Sequence, residues 1–134
     1  MKFILILFSI FVYVRTQDAP VCHCGVFLYL PDEELVVDTV PQIDIDSCED
    51  QAQCSILCAE EWAFYSNNGD LDTEEVDTTF GQAFCNTLNV DGYPDLDPQA
   101  VYLYISVCDG PKIENGLASS QKLCCVSGVY PGNC

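Results

Sequence analysis

The sequence has very few basic residues. Four lysines and arginines and one histidine stand against 21 acidic residues, so the formal net charge is −17 at pH 7. Nucleic acids and anionic lipid surfaces attract positively charged proteins and repel a chain of this composition. The scarcity of positive charge therefore excludes nucleic-acid binding. It leaves two interpretations of the acidity: solubility at high concentration, or attraction of cations and basic partners.

Catalytic motifs are missing as well. His23 is the only histidine, and its neighbours Cys22 and Cys24 are expected to be oxidised rather than nucleophilic. A serine or cysteine nucleophile needs a base within reach. There is no G-x-S-x-G motif, and no histidine follows the adjacent cysteines at 124 and 125 as it does in secreted phospholipases. We therefore expect a non-enzymatic protein with no catalytic residue and no cofactor.

The sequence also lacks a recognisable metal-binding motif. Zinc sites usually show repeated C-x-x-C spacing or paired histidines, and neither occurs here. An EF-hand loop needs glycine at position 6 and glutamate at position 12. A loop that begins at Asp70 has Glu75 and Gly81 there, and one that begins at Thr87 has proline at position 12. We therefore expect no specific metal site, while weak cation binding by the acidic residues 70–79 is left open.

No apolar run is long enough to span a bilayer, which takes about 20 residues. The longest run covers residues 3–14 and follows Lys2, which is typical of a secretory signal peptide. We expect residues 1–16 to be removed, with an uncleaved anchor as the alternative. Residues 17–134 would then form one secreted, extracellular domain that does not insert into membranes. Cleavage would leave two lysines against 21 acidic residues, a net charge of −19.

Cysteine, in contrast, is abundant. All ten cysteines follow residue 16, and an even number behind a signal peptide predicts five disulfide bonds made in an oxidising compartment. Ten cysteines allow on the order of a thousand pairings, so the sequence leaves the connectivity open. The expected disulfide-forming residues are Cys22, Cys24, Cys48, Cys54, Cys58, Cys85, Cys108, Cys124, Cys125 and Cys134.

Residues 47–65 predict an amphipathic helix that directs cysteines inward. Ser47 is placed to cap its N-terminus, and Asp50 three residues later can complete a capping-box-like pair. Cysteines and large apolar residues then recur at helical spacing, which defines one inward face. That face comprises Cys54, Leu57, Cys58, Glu61, Trp62 and Tyr65.

Alternating apolar and polar residues predict strands elsewhere, most clearly at residues 21–30 and 100–108. The expected fold class is α+β: a small disulfide-rich domain in which two helices pack on an antiparallel sheet of three to four short strands. The other predicted segments are an edge strand or extended loop at 35–40, a second helix at 79–88, a last strand at 121–127, and loops at 70–79 and 112–120.

The directions of the side chains limit the pairing of the cysteines. Cys54 and Cys58 share the inward helical face, so we expect both to reach cysteines of the sheet. Adjacent residues of a strand point to opposite faces, so the adjacent cysteines of the last strand should bond different partners. The candidate partners of the helical cysteines are Cys22 or Cys24 and one of Cys124 and Cys125.

Four aromatic residues are expected on the sheet face opposite the aliphatic one. If no helix covers this face, it forms an exposed patch of the kind that binds partners. The favoured expectation is that Phe80 and Phe84 of the second helix cover it. The four residues are Phe27, Tyr29, Tyr102 and Tyr104.

Four cysteine motifs occur in a recognisable order. They are C-H-C-G-V-F (22–27), F-C-N-T-L (84–88), V-C-D-G-P (107–111) and L-C-C-V-S-G (123–128), with Cys48, Cys54 and Cys58 between the first two and Cys134 at the end. This arrangement resembles cysteine-rich, toxin-like secreted proteins of spider venom and silk glands. The resemblance implies a gland secretion and a non-enzymatic role, and it carries over no active residue. Knottin-type channel blockers are smaller and usually basic, so pore blocking is not expected of this acidic chain.

Two functions follow from these patterns. The first is a secreted, acidic, non-catalytic protein of a gland secretion, either silk-associated or a venom component. The alternative is a secreted binding module, such as a protease inhibitor or a toxin that acts on an extracellular target. In that case the predicted loops 70–79 and 112–120 would bind, with Lys112 or Lys122 as a basic anchor. The partner would be an unidentified extracellular protein or a second copy of the chain.

Overall fold

The computed structural model describes residues 19–134, and the predicted signal peptide at residues 1–16 lies outside the described residues. Neither helix in the described part has the length and apolar character that a membrane-spanning helix needs. The elements, in chain order, are β1 (Val21–Tyr29), β2 (Glu34–Thr39), β3 (Ile43–Asp44), α1 (Gln51–Tyr65), β4 (Glu74–Glu75), β5 (Thr78–Thr79), α2 (Phe80–Val90), β6 (Leu96–Gln99), β7 (Tyr102–Val107), β8 (Ile113–Ala118) and β9 (Leu123–Cys125).

The main sheet is antiparallel, with β1 at its centre. Its strand order is β2-β1-β7-β8, and β3 pairs with the beginning of β1. Strands β4 and β5 form a separate hairpin, and β6 pairs with β9. The small disulfide-rich domain with two helices and antiparallel sheets is confirmed. The predicted number of three to four strands is too low, because strands of two to four residues are too short to show alternation in the sequence.

The largest correction concerns residues 112–120, which were predicted to form a loop and instead contain β8. The strand contains Asn115 and Gly116, two residue types that favour turns. In the structure they interrupt the pairing of β8 with β7, and Gly116 has a φ of +89°. The Asn115 side-chain amide donates to the backbone oxygen of Ser55 on α1 at 3.1 Å. The turn-like residues therefore form a bulge that ties the edge strand to the helix.

Helix α1 begins later than the sequence suggested. Asp50, and not Ser47, is its N-cap, and the Asp50 carboxylate accepts a hydrogen bond from the backbone N–H of Gln53 at 2.9 Å. Ser47 instead accepts a hydrogen bond from the backbone N–H of Glu49 in the preceding turn. This turn places Cys48 outside the helix. Both Ser47 and Asp50 are favourable caps, and the later one leaves Cys48 free to reach another element.

The core lies between the inner face of the main sheet and the two helices. Val26 and Leu28 of β1 and Ile105 of β7 point toward it, as the alternation predicted. Helix α2 contributes Phe84 and Leu88, which are 1% and 0% exposed. Both helices therefore pack on the same side of the sheet, and no helix of residues 19–134 lies on the other side.

Five disulfide bonds join the ten cysteines. The two cysteines of α1 bond the two cysteines of β1, so the expectation that helical cysteines reach the sheet is right for β1 and wrong for the 124/125 pair. Four residues along a helix rise about 6 Å and two residues along a strand about 6.6 Å, so the two bridges fit side by side. The bridges are Cys22–Cys54, Cys24–Cys58, Cys48–Cys108, Cys85–Cys125 and Cys124–Cys134.

Candidate functional site

The sulfur atoms of Cys22, Cys54 and Cys58 are the first candidate for chemistry, because they lie within 4.8 Å of one another. All three are buried, and each belongs to a disulfide bond. A metal ion needs the thiolate form of cysteine. This cluster is therefore two adjacent disulfide bonds in the core.

The outer face of the main sheet carries the four predicted aromatic residues in contact with one another. The centroid of the Phe27 ring lies 5.2 Å from that of Tyr29 and 6.1 Å from that of Tyr104. The expectation that helix α2 covers this face is wrong. Phe80 and Phe84 pack into the core on the opposite side, where the aliphatic face is also covered by α1 through its two disulfide bonds to β1.

Lys112 covers part of this aromatic face. Its Nζ atom lies 5.6 Å from the ring centroids of both Phe27 and Tyr104 and 3.6 Å from a carboxylate oxygen of Glu34. A cation over two aromatic rings is attracted by both. Phe27 and Tyr104 are consequently buried. Lys112 is held by these contacts, so it is poorly placed to serve as the basic anchor of a protease inhibitor.

Ser106, His23 and Asp109 lie together beside the aromatic face, in a combination that resembles a catalytic triad. Ser106 is opposite His23 in the sheet, and His23 Nε2 lies 3.5 Å from the Asp109 carboxylate. However, the Ser106 hydroxyl donates to the backbone oxygen of Gly110 at 2.7 Å. Nucleophilic catalysis needs this hydroxyl to donate to the base. In this arrangement the Ser106 hydroxyl is engaged by the backbone oxygen of Gly110.

The acidic residues 70–79 are more ordered than the predicted loop, because they contain the β4–β5 hairpin and several anchoring contacts. The Gln121 side chain accepts a hydrogen bond from the backbone N–H of Leu71 at 2.8 Å and donates one to the Asp70 carboxylate. This donation, together with one from the backbone of Asp72, lowers the pKa of Asp70. Weak cation binding by this segment stays a prediction.

Tyr130 fastens the same segment to helix α2. Its ring lies so close to Gly81 that a Cβ atom on Gly81 would be 2.4 Å from the ring, which explains why a glycine is found inside this helix. Its hydroxyl donates to the Asp72 carboxylate at 3.0 Å. Burial, followed by this hydrogen bond and the negative charges of Asp72 and Asp70, raises the pKa of Tyr130 to about 12.

We expect Tyr130 to make the folding stability sensitive to alkaline pH. The pKa of Tyr130 is higher in the folded state than the value of about 10 in an unfolded chain, so its contribution is complete below pH 10 and is lost as the pH rises toward 12. Between pH 10 and pH 12, the unfolding equilibrium constant of the wild type should rise about tenfold more than that of Tyr130→Phe. Urea unfolding at both pH values measures this difference. Tyr65→Phe, at a tyrosine that is 56% exposed, is the control. Equal pH profiles for Tyr130→Phe and the wild type would contradict the prediction.

An apolar hollow lies between β2 and the second half of α1. This helix–sheet cleft has the Cys24–Cys58 disulfide bond at its base and an enclosed volume of about 40 Å³. Four members of the predicted inward helical face line it, so the sequence located one of its walls. The residues that line the cleft include Cys58, Glu61, Trp62 and Tyr65 from α1, Phe80 and Phe84 from α2, and Val26, Asp38, Val40 and Leu103 from the sheet.

Asp38 is the functional candidate in this cleft that the sequence did not single out. In the pairing of β2 with β1, Val26 is opposite Asp38 and Phe27 is opposite Val36, so Val37 is an extra residue and forms a β-bulge. Residues that are opposite each other in an antiparallel pair share a face. The bulge therefore places Asp38 on the inner, helix-facing side of the sheet, where uninterrupted alternation from Val36 would not have placed it.

The Asp38 carboxylate is weakly compensated in this position. It accepts one hydrogen bond, from the backbone N–H of the adjacent Thr39 at 2.8 Å. Although the residue as a whole is exposed, burial of the carboxyl group raises its pKa against the opposing effect of that hydrogen bond. Neither of the ion pairs found among residues 19–134 involves Asp38. The cleft thus combines apolar and aromatic walls with an unpaired acid at its mouth.

Comparison with known proteins gives no match: no protein-family model, no curated protein and no solved structure is similar to this chain. Membership in a spider-gland family therefore stays a prediction from the cysteine motifs. The functional conclusion depends on the charge, burial and geometry of the described residues.

Proposed function

We propose that the chain is a secreted, non-catalytic protein of a gland secretion and acts as a binding module for a basic extracellular partner. The observation that carries this proposal is the uncompensated negative charge of its surface. All acidic residues except Asp18 lie in the described part, where His23–Asp109 and Lys112–Glu34 are the only ion pairs. An anionic field of this kind attracts cationic partners and accelerates their association.

Secretion and the gland role are supported by the disulfide bonds and by the cysteine motifs. Five disulfide bonds are typical of proteins that fold in an oxidising compartment. The motif order supports a gland secretion of the venom or silk kind. The contact of Ser106 with Gly110 supports a non-catalytic role, because the hydroxyl donates to that backbone oxygen.

The disulfide framework also supports binding rather than solubility alone. Helix α1 is tied to β1 by two bridges, and the chain terminus is tied to β9 by a third. A rigid surface loses little conformational freedom when it binds, which favours affinity.

The proposal is tested by comparing folded and unfolded chains of equal charge. Reduction followed by alkylation with iodoacetamide removes the disulfide bonds and adds no charge. A fluorescein-labelled lysine–glycine peptide should bind the native protein at least about tenfold more tightly than the alkylated chain in about 150 mM salt, where long-range attraction is screened. A glutamate–glycine peptide is the control and should bind neither form. Equal binding of the lysine–glycine peptide to both forms would show that only the net charge matters and would overturn the proposal.

A further inference from the structure

We infer that the helix–sheet cleft binds the end of a lysine side chain supplied by the basic partner. This inference rests on the proposed function and names the place where the partner is recognised. It requires a cavity of suitable size, apolar walls for the aliphatic stem, and a negative group for the ammonium. The structure shows a cavity, apolar walls and negative groups at this place.

The cleft is large enough for part of a side chain but too small for a whole small molecule. Its enclosed volume is about 40 Å³, whereas a cavity that holds benzene measures about 150 Å³. The end of one unbranched side chain therefore enters, and the rest of the partner stays outside. Lysine fits this requirement better than arginine, because its stem is flexible and its ammonium is a compact charge, while the guanidinium group is a wide plane.

The walls suit an aliphatic stem that ends in a cation. The Cys24–Cys58 disulfide bond and Val26 give an apolar base, which a methylene chain can cover. Trp62 and Tyr65 stand at the side, and a cation near an aromatic face is stabilised, most strongly by tryptophan. The Trp62 ring packs closely against Gly69, where a Cβ atom would lie 3.0 Å from it.

The negative groups at the mouth have no cation of their own. Asp38 comes from the β-bulge, and Glu61 lies on α1 across the cleft. Of the basic residues in the described part, none lines this cleft, and Lys112 is occupied by Glu34 on the outer face. A buried or partly buried carboxylate is stabilised when a cation pairs with it. An incoming ammonium supplies that partner.

The test uses the intrinsic fluorescence of Trp62, the only tryptophan in the chain. The probe is a short acetylated glycine peptide with one central lysine, and matched peptides carry norleucine or acetyl-lysine at that position. Only the lysine peptide should shift the emission of the native protein. Asp38→Asn should weaken its binding at least about tenfold, the size expected for loss of a hydrogen bond between charged groups. Asp97→Asn removes the same charge from an exposed position on β6 and should leave binding unchanged.

Each outcome decides the inference. Unchanged affinity in Asp38→Asn, or equal binding of the norleucine peptide, overturns it. If Asp38→Asn fails to fold, Glu61→Gln on α1 takes its place, and an affinity equal to that of the wild type then overturns the inference. If the native protein binds the lysine–glycine peptide while the cleft variants make no difference, the proposed function stands and the site is elsewhere. If the native protein binds no lysine peptide at all, both fail.

Discussion

Replacing Cys24 and Cys58 together by alanine is expected to lower the free energy of unfolding by about 4 kcal/mol. The neighbouring Cys22–Cys54 bridge still closes most of the same segment in the unfolded chain, so the lost loop constraint accounts for only about 2 kcal/mol of this. Both cysteines are also buried, at 2% and 0% exposure, and their removal leaves a void at the base of the helix–sheet cleft. Substituting both residues avoids a free thiol that could exchange with the adjacent Cys22–Cys54 bridge.

The matched control is the double substitution of Cys124 and Cys134. That bridge joins residues only 10 positions apart, and Cys134 is exposed at the end of the chain. Its 10-residue loop predicts a loss of about 3 kcal/mol, and the smaller total follows because its removal disturbs the core less. Urea unfolding at neutral pH, followed by the fluorescence of Trp62, measures both values. A larger loss for the terminal bridge than for the core bridge would contradict this assignment.

The double connection between β1 and α1 is the part of the fold that the sequence predicts best. The alternation in β1 and the helical spacing in α1 each place two cysteines on an inward face. Both patterns are local, and burial of one face produces them directly. The choice of partners was left open, because the spacing shows where a cysteine points and not which element lies opposite.

The outer sheet face shows that local sequence patterns do not predict which element packs on a face. The prediction that the aromatic residues of β1 and β7 share one face is correct. The prediction that α2 packs over them is wrong, because Lys112 lies there instead. The side on which a helix packs depends on the whole tertiary arrangement. Here the disulfide bonds of β1 draw α1 to the aliphatic side, and α2 packs beside it.

The key acid of the candidate site could not be found from the sequence for a related reason. Asp38 lies in a short edge strand, where acidic residues commonly face solvent and discourage pairing with other chains. A one-residue β-bulge at Val37 changes the face on which Asp38 lies. A β-bulge depends on the register between two strands, and no residue type in this segment indicates that a bulge is present. The α1 wall of the cleft was predictable; the acid opposite it was not.

Phe84→Ala is expected to destabilise the protein by about 4 kcal/mol. Phe84 is the largest of the fully buried side chains and is 1% exposed. It packs between α2 and the inner face of the sheet, and its ring lies 6.1 Å from that of Phe80. Truncation therefore removes apolar contacts and leaves a cavity that the surrounding disulfide bonds keep from collapsing. Since Phe84 also lines the helix–sheet cleft, the variant should accept larger ligands there.

Phe64→Ala provides the same chemical change at an exposed position of α1, where the side chain is 80% exposed. Its effect should stay within about 0.5 kcal/mol, as for most surface substitutions. Comparing the urea midpoints of the two variants at constant slope isolates the effect of burial. A similar small loss for both would mean that Phe84 does not occupy the core, and the packing of α2 on the sheet, with the cleft that depends on it, would then be wrong.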